Sequence, residues 1–242
     1  AEGRPLQKRD ALSPDEEAGL LEVLQGTSSY LFVWMGLATG ARRGELLGLK
    51  WDCVDLDHAE ITLRRNLVFV GYGAYELHDY MKTESSTRVI PIPYDLVAAL
   101  REEKANTNSV FVLHRPNGQP YCANQFCTMW GSVQRRSGPA QAEGARAAYC
   151  KTHVKVTPHI LRHTYATRCF ESGLDIKEVQ RLLGHASMQV TMEIYTHYCE
   201  SLRRESTFDK ARAARSRTTD VPHNTQDVPR KVEEKEVQKA AK

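Results

Sequence analysis

One stretch of the chain, residues 59–93, is patterned for β-strands, whereas the segments on both sides of it are patterned for helices. The stretch contains the runs Glu60-Ile-Thr-Leu-Arg-Arg and Arg88-Val-Ile-Pro-Ile, which are rich in β-branched residues and lie on either side of the turn Gly71-Tyr-Gly. Such runs around a turn predict a small antiparallel sheet. A sheet of this size inserted into a helical chain predicts an α+β fold that is mostly α-helical.

Apolar residues recur at helical spacing through most of the remaining chain. A first helix is expected at about 14–25, because Ser13, Pro14 and Glu16 form a capping-box signature. Further helices are predicted at about 29–38, 43–50, 94–103, 123–136, 158–172, 175–183, 187–197 and 200–214.

Three regions follow from this pattern. Residues 1–12 are interpreted as a linker, 13–215 as one domain and 216–242 as a C-terminal tail. The tail has no aromatic residue and carries six basic and five acidic side chains, so it is not expected to form a core. It is predicted to be flexible or to dock on a partner.

The composition gives no sign of a membrane protein. The longest apolar run, Leu31–Ala38, is far shorter than the roughly 20 residues of a membrane-spanning helix. The first residues, Ala-Glu-Gly-Arg-Pro-Leu, lack the apolar stretch of a secretion signal. We therefore expect a cytoplasmic protein without a membrane partner, in which the six cysteines are reduced.

Basic side chains are concentrated in two stretches. Residues 144–170 contain no Asp or Glu but five cations, and residues 203–217 contain six. Arginine and lysine at this density are typical of contacts with DNA phosphates, although a solvated helix face is the alternative interpretation.

Several reactive side chains occur at spacings that bring them together. His159, Arg162 and His163 share one face of a predicted helix because they are three and four residues apart. His185 directly follows Gly184, a typical helix stop, and Tyr195 comes ten residues later. Near the other end of the chain, Arg42 follows the turn at 39–41, close to a helix N-terminus, where phosphate groups bind readily.

Four blocks in this order resemble the catalytic domain of the tyrosine recombinases, the integrases of phages and conjugative transposons. The blocks are Thr-Gly-Ala-Arg-Arg-Gly-Glu-Leu at 39–46, Lys82-Thr83 leading to Arg88-Val-Ile-Pro-Ile, His-Ile-Leu-Arg-His at 159–163, and Leu-Gly-His at 183–185 followed by Tyr195. The resemblance extends from about Leu12 to Thr207. It implies site-specific recombination, in which a mobile element is integrated or excised by cleavage and rejoining of DNA strands.

The resemblance implies a 3′-phosphotyrosyl intermediate that needs neither ATP, nor a metal, nor another cofactor. By this resemblance, Tyr195 is the nucleophile, and Arg42 and Arg162 bind the nonbridging phosphate oxygens. Lys82 is the acid that protonates the leaving 5′ oxygen. His159 accepts or relays the tyrosine proton, and His185 forms a hydrogen bond with the phosphate. Two further residues are expected to support the site, Glu45 by orienting an arginine and His163 by packing. Contacts with DNA are expected from Arg43, Arg146, Lys151, Lys155 and Arg168.

The sequence leaves alternatives open for several residue roles and for the function. Arg43 takes the role of Arg42 if the match to the family motif is shifted by one residue. Tyr198 is the nearest alternative nucleophile. Lys82 is also explained as a solvated hairpin lysine, and Tyr195 as a core tyrosine. At the level of function, the alternatives are a type IB topoisomerase and a noncatalytic DNA-binding regulator with the same fold.

The implied partners are double-stranded DNA carrying recombination sites and further copies of the chain, as a tetramer on DNA. Full integrases place DNA-binding domains before the catalytic domain, whereas the first predicted helix here begins at Pro14. The sequence is therefore expected to be a catalytic fragment. It is expected to be mostly monomeric away from DNA and associated with the nucleoid when bound.

Overall fold

The computed structural model describes residues 11–71, 73–79, 87–138, 150–200 and 202–203. The helices are α1 (Pro14–Leu24), α2 (Tyr30–Thr39), α3 (Arg43–Leu47), α4 (Tyr94–Asn106), α5 (Ala123–Arg136), α6 (Pro158–Glu171), α7 (Ile176–Leu183) and α8 (188–200), and the strands are β1 (Val54–Asp55), β2 (Glu60–Leu63), β3 (Arg65–Phe69), β4 (Tyr75–Asp79) and β5 (Arg88–Pro91). The described residues through Cys199 belong to one compact unit. Residues 200, 202 and 203, which are helical, belong to a second unit. The predicted mostly helical α+β class is confirmed.

The strands form two antiparallel sheets, whereas the sequence predicted one. Strands β1, β2 and β5 form the first sheet, in that order, and β3 pairs with β4 in the second. The run that begins at Glu60 changes sheets at Arg64. At this point Arg64 and Arg65 both turn toward Asp52 and donate to its carboxylate at 2.7–2.9 Å. These ion pairs lie where the chain passes from one sheet to the other.

Helix α2 is the central helix of the fold. Six of its ten residues are buried, and it packs directly against α6. A methyl group added at Gly36 would lie 2.8 Å from Leu161 Cδ1 on α6, so a glycine is needed for this close approach. The contact places Arg162, the next residue of α6, beside the end of α2 at Gly40.

One predicted helix is shorter than expected, and another lies mostly outside the described residues. The helix predicted at 43–50 ends at Leu47, because Leu49 accepts a hydrogen bond from Val112 and Lys50 forms a β-bridge with Phe111. Of the helix predicted at 200–214, only residues 200, 202 and 203 are described. The tail at 216–242 and most of the linker at 1–12 lie outside the described residues.

A second, smaller apolar core joins the last three helices. It includes Phe170 on α6, Leu183 on α7 and Ile194 on α8. This core holds the end of α7 in place, and that end supports the site described below. Within the described ranges, no helix is both long enough and apolar enough to span a membrane.

Two helical glycines provide a test of the packing. A methyl group at Gly44 would lie 2.1 Å from Asn66 Oδ1 and 2.6 Å from the Leu67 carbonyl oxygen, whereas at Gly131 it would meet only the flexible end of Arg135 at 3.3 Å. We expect Gly44→Ala to lower the free energy of unfolding by about 1–3 kcal/mol through overpacking. Gly131→Ala should raise it by about 0.5–1 kcal/mol, because alanine favours a helix. Urea unfolding measures both changes, and equal effects would contradict the close packing of α3 on β3.

Candidate active site

Helix α7 ends at Gly184, whose φ of 64° and ψ of 46° lie in the left-handed region. The last carbonyls of an α-helix have no hydrogen-bond partners inside the helix. Three arginines donate to these carbonyls: Arg88 Nε to Leu182, Arg162 Nη2 to Leu183 and Arg42 Nη2 to Gly184, each at 2.7 Å. Cations are stabilised at a helix C-terminus because it carries partial negative charge. The end of α7 therefore gathers Arg42, Arg88 and Arg162, which we call the arginine cluster.

Arg42 reaches the cluster from the turn between α2 and α3. Gly40 ends α2 with a φ of 60°, and Arg42 is the N-cap of α3. The Arg42 main-chain N–H donates to Glu45 Oε2 at 2.7 Å, and Nη1 donates to Oε1 at 3.0 Å. The side chain of Arg42 is 42% exposed, so a ligand in solution can reach it.

Arg162 is buried on α6 and bridges the ends of two helices. Its Nη1 donates to the Gly40 carbonyl at 2.8 Å, while Nη2 donates to Leu183. The turn that carries Arg42 is thereby tied to the end of α7. The two arginines that the sequence placed in one site are brought together in the structure.

Arg88 and Glu45 form a buried ion pair beneath the cluster. Arg88 Nη1 and Nη2 donate to the two carboxylate oxygens of Glu45 at 3.0 and 2.7 Å. Burial disfavours the charged carboxylate, but the hydrogen bonds and charge of Arg88, with those of Arg42, outweigh burial and lower the pKa of Glu45. Glu45 therefore contacts both Arg42 and Arg88.

The sequence assigned Arg88 to a strand and gave it no role in the site. One signal was available. Arg88 alternates with Ile90 on the face of β5 that is buried, and an arginine that faces a core needs a partner.

His185 follows the glycine that ends α7. Its main-chain N–H donates to the Gln180 carbonyl at 3.2 Å, and its Nδ1 lies 2.9 Å from the Thr191 hydroxyl. Burial lowers the pKa of His185 to about 4, with further lowering by the charges of the arginine cluster and of His159. His185 is therefore a neutral imidazole at neutral pH. His159 is exposed and His163 is half-buried, both on α6.

Tyr195 lies on α8 among aromatic side chains. Its ring packs edge-on against Phe170 at 5.2 Å between centroids and lies 6.4 Å from the Tyr198 ring. A hydrogen bond with the Cys199 thiol raises the pKa of Tyr195, as do the Cys199 charge and burial. The contacts of Tyr195 thus include Phe170, Tyr198 and Cys199. The structure brings together Arg42, Arg162, His185 and His159.

Among the residues predicted to bind DNA, Arg43 and Arg168 have partners inside the protein. The Arg43 guanidinium lies over the Phe69 and Phe126 rings at 4.9 and 5.5 Å, so Arg42 and not Arg43 points into the cluster. Arg168 donates to the carboxylates of Glu17 and Glu171 and to the Leu12 carbonyl. These bonds tie α6 to the start of α1, and the DNA contact of Arg168 stays a prediction.

The remaining predicted residues divide into two groups. Lys151 and Lys155 are exposed before α6, where they are accessible to a ligand. Lys82 and Arg146 lie outside the described residues. In the described ranges, no group of three or more His, Cys, Asp or Glu side chains is placed to hold a metal ion.

Comparison with known proteins identifies the family. Residues 11–201 match the phage integrase family. The chain belongs to this family. It is 32% identical over 202 residues to a tyrosine recombinase XerC-like protein of Caldanaerobacter subterraneus subsp. tengcongensis, covering 78% of this chain and 50% of the relative. It is 32% identical over 190 residues to the tyrosine recombinase XerA of Thermococcus kodakarensis, covering 77% and 57%. The integrase-family chain spans about half the length of these curated relatives.

Solved structures show the same fold. The Tn1549 transposon integrase in complex with transposon right end DNA matches with a TM-score of 0.67 and 25% identity, covering 90% of this chain and 68% of that one. A crystal structure of XerA recombinase matches with a TM-score of 0.60 and 27% identity, covering 87% and 66%. The predicted resemblance to the tyrosine recombinases is confirmed.

The charge state of His185 is testable against another histidine of the same chain. A hydrogen bond with Asp55 and the charge of Asp55 raise the pKa of His58, whereas the pKa of His185 is lowered to about 4. At about pH 5.5 we therefore expect His58 to be protonated and His185 to be neutral. NMR titration of labelled histidines measures both, with His185→Asn and His58→Asn for assignment.

The same shift has a consequence for stability. The unfolded chain binds a proton at His185 near its ordinary pKa of 6.5, and the folded chain only near 4, so this residue destabilises the fold as the pH falls from 6.5 towards 4. A measured pKa of His185 at or above 6.5 would contradict the burial of this imidazole in the field of the arginine cluster.

Proposed function

We propose that this chain performs the strand cleavage and rejoining step of site-specific recombination in a mobile element, through a 3′-phosphotyrosyl bond to Tyr195. The observation that carries the proposal is the arginine cluster, which holds an exposed Arg42 beside Arg162 and a neutral His185. Family membership supports it, as does the likeness to an integrase solved with transposon DNA. The proposed partner is double-stranded DNA, bound by a tetramer of the chain.

The cluster suits a phosphodiester in the transition state. Arg42 Nη1 and Nη2 each donate once inside the protein, and a guanidinium has five N–H donors in all. Donors therefore remain for the nonbridging oxygens, on which negative charge increases during the reaction. Because Glu45 and the end of α7 already hold Arg42, little reorganisation is needed when the phosphate arrives.

His185 contributes a hydrogen bond without adding a fourth positive charge. When its Nδ1 accepts from the Thr191 hydroxyl, the neutral ring carries its proton on Nε2, which then donates to a phosphate oxygen. A protonated His185 would be repelled by the neighbouring arginines.

The chemical step exchanges one phosphodiester bond for another. The Tyr195 oxygen attacks phosphorus and loses its proton to His159, the bond from phosphorus to the 5′ oxygen breaks, and Lys82 protonates that oxygen. A 5′ hydroxyl of another strand reverses the step. To attack, the Tyr195 hydroxyl exchanges its bond with the Cys199 thiol for the scissile phosphate.

The nucleophile is tested by two tyrosine variants. Tyr195→Phe should abolish covalent capture of a nicked suicide duplex and leave duplex affinity unchanged, because the ring still packs on Phe170 and only the hydroxyl is lost. Tyr198→Phe is the matched control, since its ring also packs on Phe170, and it should capture DNA normally. Denaturing gel electrophoresis of the adduct measures both.

The outcomes distinguish the alternative functions. An adduct with Tyr195→Phe but not with Tyr198→Phe would make Tyr198 the nucleophile. A wild-type chain that binds DNA without capture would be a noncatalytic regulator. Capture with plasmid relaxation and no recombinant product would indicate a topoisomerase.

The role of Arg162 is tested by a lysine substitution. Two different nitrogens of Arg162 bridge Gly40 and Leu183, and a lysine offers only one nitrogen for these contacts and for the phosphate. Arg162→Lys should slow single-turnover cleavage by about a hundredfold or more, which is comparable to the loss of one oxyanion donor. Cleavage within about threefold of wild type would contradict a transition-state role for Arg162.

A further inference from the structure

Arg88 is the member of the arginine cluster that a ligand cannot reach. Its side chain is 3% exposed, whereas that of Arg42 is 42% exposed. Among the described residues, its side chain donates to the Leu182 carbonyl and to both carboxylate oxygens of Glu45. Any contribution of Arg88 to the reaction therefore passes through other residues.

One path from Arg88 leads through Glu45 to Arg42. Oε1 of Glu45 accepts from Nη1 of both arginines, each at 3.0 Å. Oε2 accepts from Arg88 Nη2 and from the Arg42 main-chain N–H, each at 2.7 Å. The fork of Arg88 thus fixes the plane of the carboxylate to which Arg42 is bound.

A second path leads through the end of α7 to His185. Arg88 Nε holds the Leu182 carbonyl, and a methyl group at Gly184 would lie 2.8 Å from Arg88 Nη1. The last turn of α7 therefore rests directly on the Arg88 guanidinium. His185 is the next residue, so its position depends on this contact.

We infer that Arg88 is a positioning residue for strand cleavage, which fixes Arg42 through Glu45 and His185 through the end of α7. The inference rests on the proposed function. A buried ion pair contributes little to stability compared with apolar residues of the same volume, so stability alone is a weak reason for this pair. A lysine at position 88 keeps the charge but lacks the planar fork that makes three directed bonds.

The test is single-turnover cleavage by Arg88→Lys on the suicide duplex. We expect the rate constant to fall by about tenfold or more, because small misplacements of reacting groups have effects of this size. Duplex affinity should stay within about twofold, because the buried Arg88 does not touch DNA. A merely structural role would reduce the fraction of active protein, seen as the amplitude, and leave the rate constant unchanged.

Arg101→Lys is the matched control. Arg101 on α4 also donates to a main-chain carbonyl, that of Leu56 at 2.7 Å, and to a carboxylate, that of Asp57 at 2.8 Å. In the described ranges, these bonds of Arg101 lie away from the end of α7 and from Glu45. Its lysine variant should cleave at the wild-type rate, and equal rate constants for the two variants and wild type would overturn the inference.

A double variant keeps the inference testable if Arg88→Lys does not fold. If Arg88→Lys does not fold, the double variant Glu45→Gln, Arg88→Met removes both buried charges together, and it should cleave at least as slowly as expected for Arg88→Lys. Wild-type cleavage by this double variant would also overturn the inference.

A measurement by NMR tests the positioning role of Arg88 without DNA cleavage. In ¹H–¹⁵N spectra of the DNA-free chain, the Arg42 Nε–H and the His185 amide should shift in the folded position-88 variant and stay in place in Arg101→Lys. Unshifted resonances in that variant would refute the positioning role even if wild type captures no DNA. An absence of capture by wild type would by itself refute only the proposed function.

Discussion

The site depends on the hydrogen bonds between three arginines and the last three carbonyls of α7. Guanidinium groups placed side by side repel one another, and burial makes the repulsion stronger. The partial negative charge at the end of the helix and the carboxylate of Glu45 offset this repulsion. The packing of Gly36 on Leu161, the left-handed turn at Gly40 and the buried face of β5 bring the arginines to this end.

The same arrangement determines the chemistry of the neighbouring groups. His185 is neutral because it is buried in the field of the cluster. It is therefore suited to donate a hydrogen bond from an uncharged ring and not to form an ion pair. The donors of Arg42 are held in place before any ligand binds. Preorganised donors of this kind lower a reaction barrier because they need not reorient in the transition state. The proposed nucleophile, in contrast, packs on Phe170 in the DNA-free chain.

Much of the site was predictable from local sequence. The apolar pattern predicted α6 and so placed His159, Arg162 and His163 on one face, and the glycines at 40 and 184 marked the ends of α2 and α7. Arg88 was not predictable in this way, because its partners Glu45 and Leu182 are 43 and 94 residues away. One of those partners is also a main-chain carbonyl, which every residue type provides.

Two features of the fold involve partners that the local pattern does not show. Residues 144–170 contain no acidic residue, but Arg168 pairs with Glu17, which is 151 residues away, as well as with Glu171. The strand pattern from Glu60 predicts one sheet, whereas the chain passes into a second sheet at Arg64, where Arg64 and Arg65 pair with Asp52. The DNA contact of Arg168 stays a prediction.

A pair of glycine variants tests whether the end of α7 holds the proposed phosphate-binding groups in place. Gly184 and Gly173 both have positive φ, 64° and 88°, so alanine at either position carries a similar strain of about 1–2 kcal/mol. A methyl group at Gly184 would lie 2.8 Å from Arg88 Nη1, and one at Gly173 would have no atom within 4 Å.

The quantity to measure is the single-turnover rate of covalent DNA capture by the two variants. We expect Gly184→Ala to be slower than wild type by about tenfold or more at unchanged duplex affinity, because the arginine cluster is displaced. Gly173→Ala should capture DNA at the wild-type rate. Equal rates for the two variants would show that the end of α7 does not position the site.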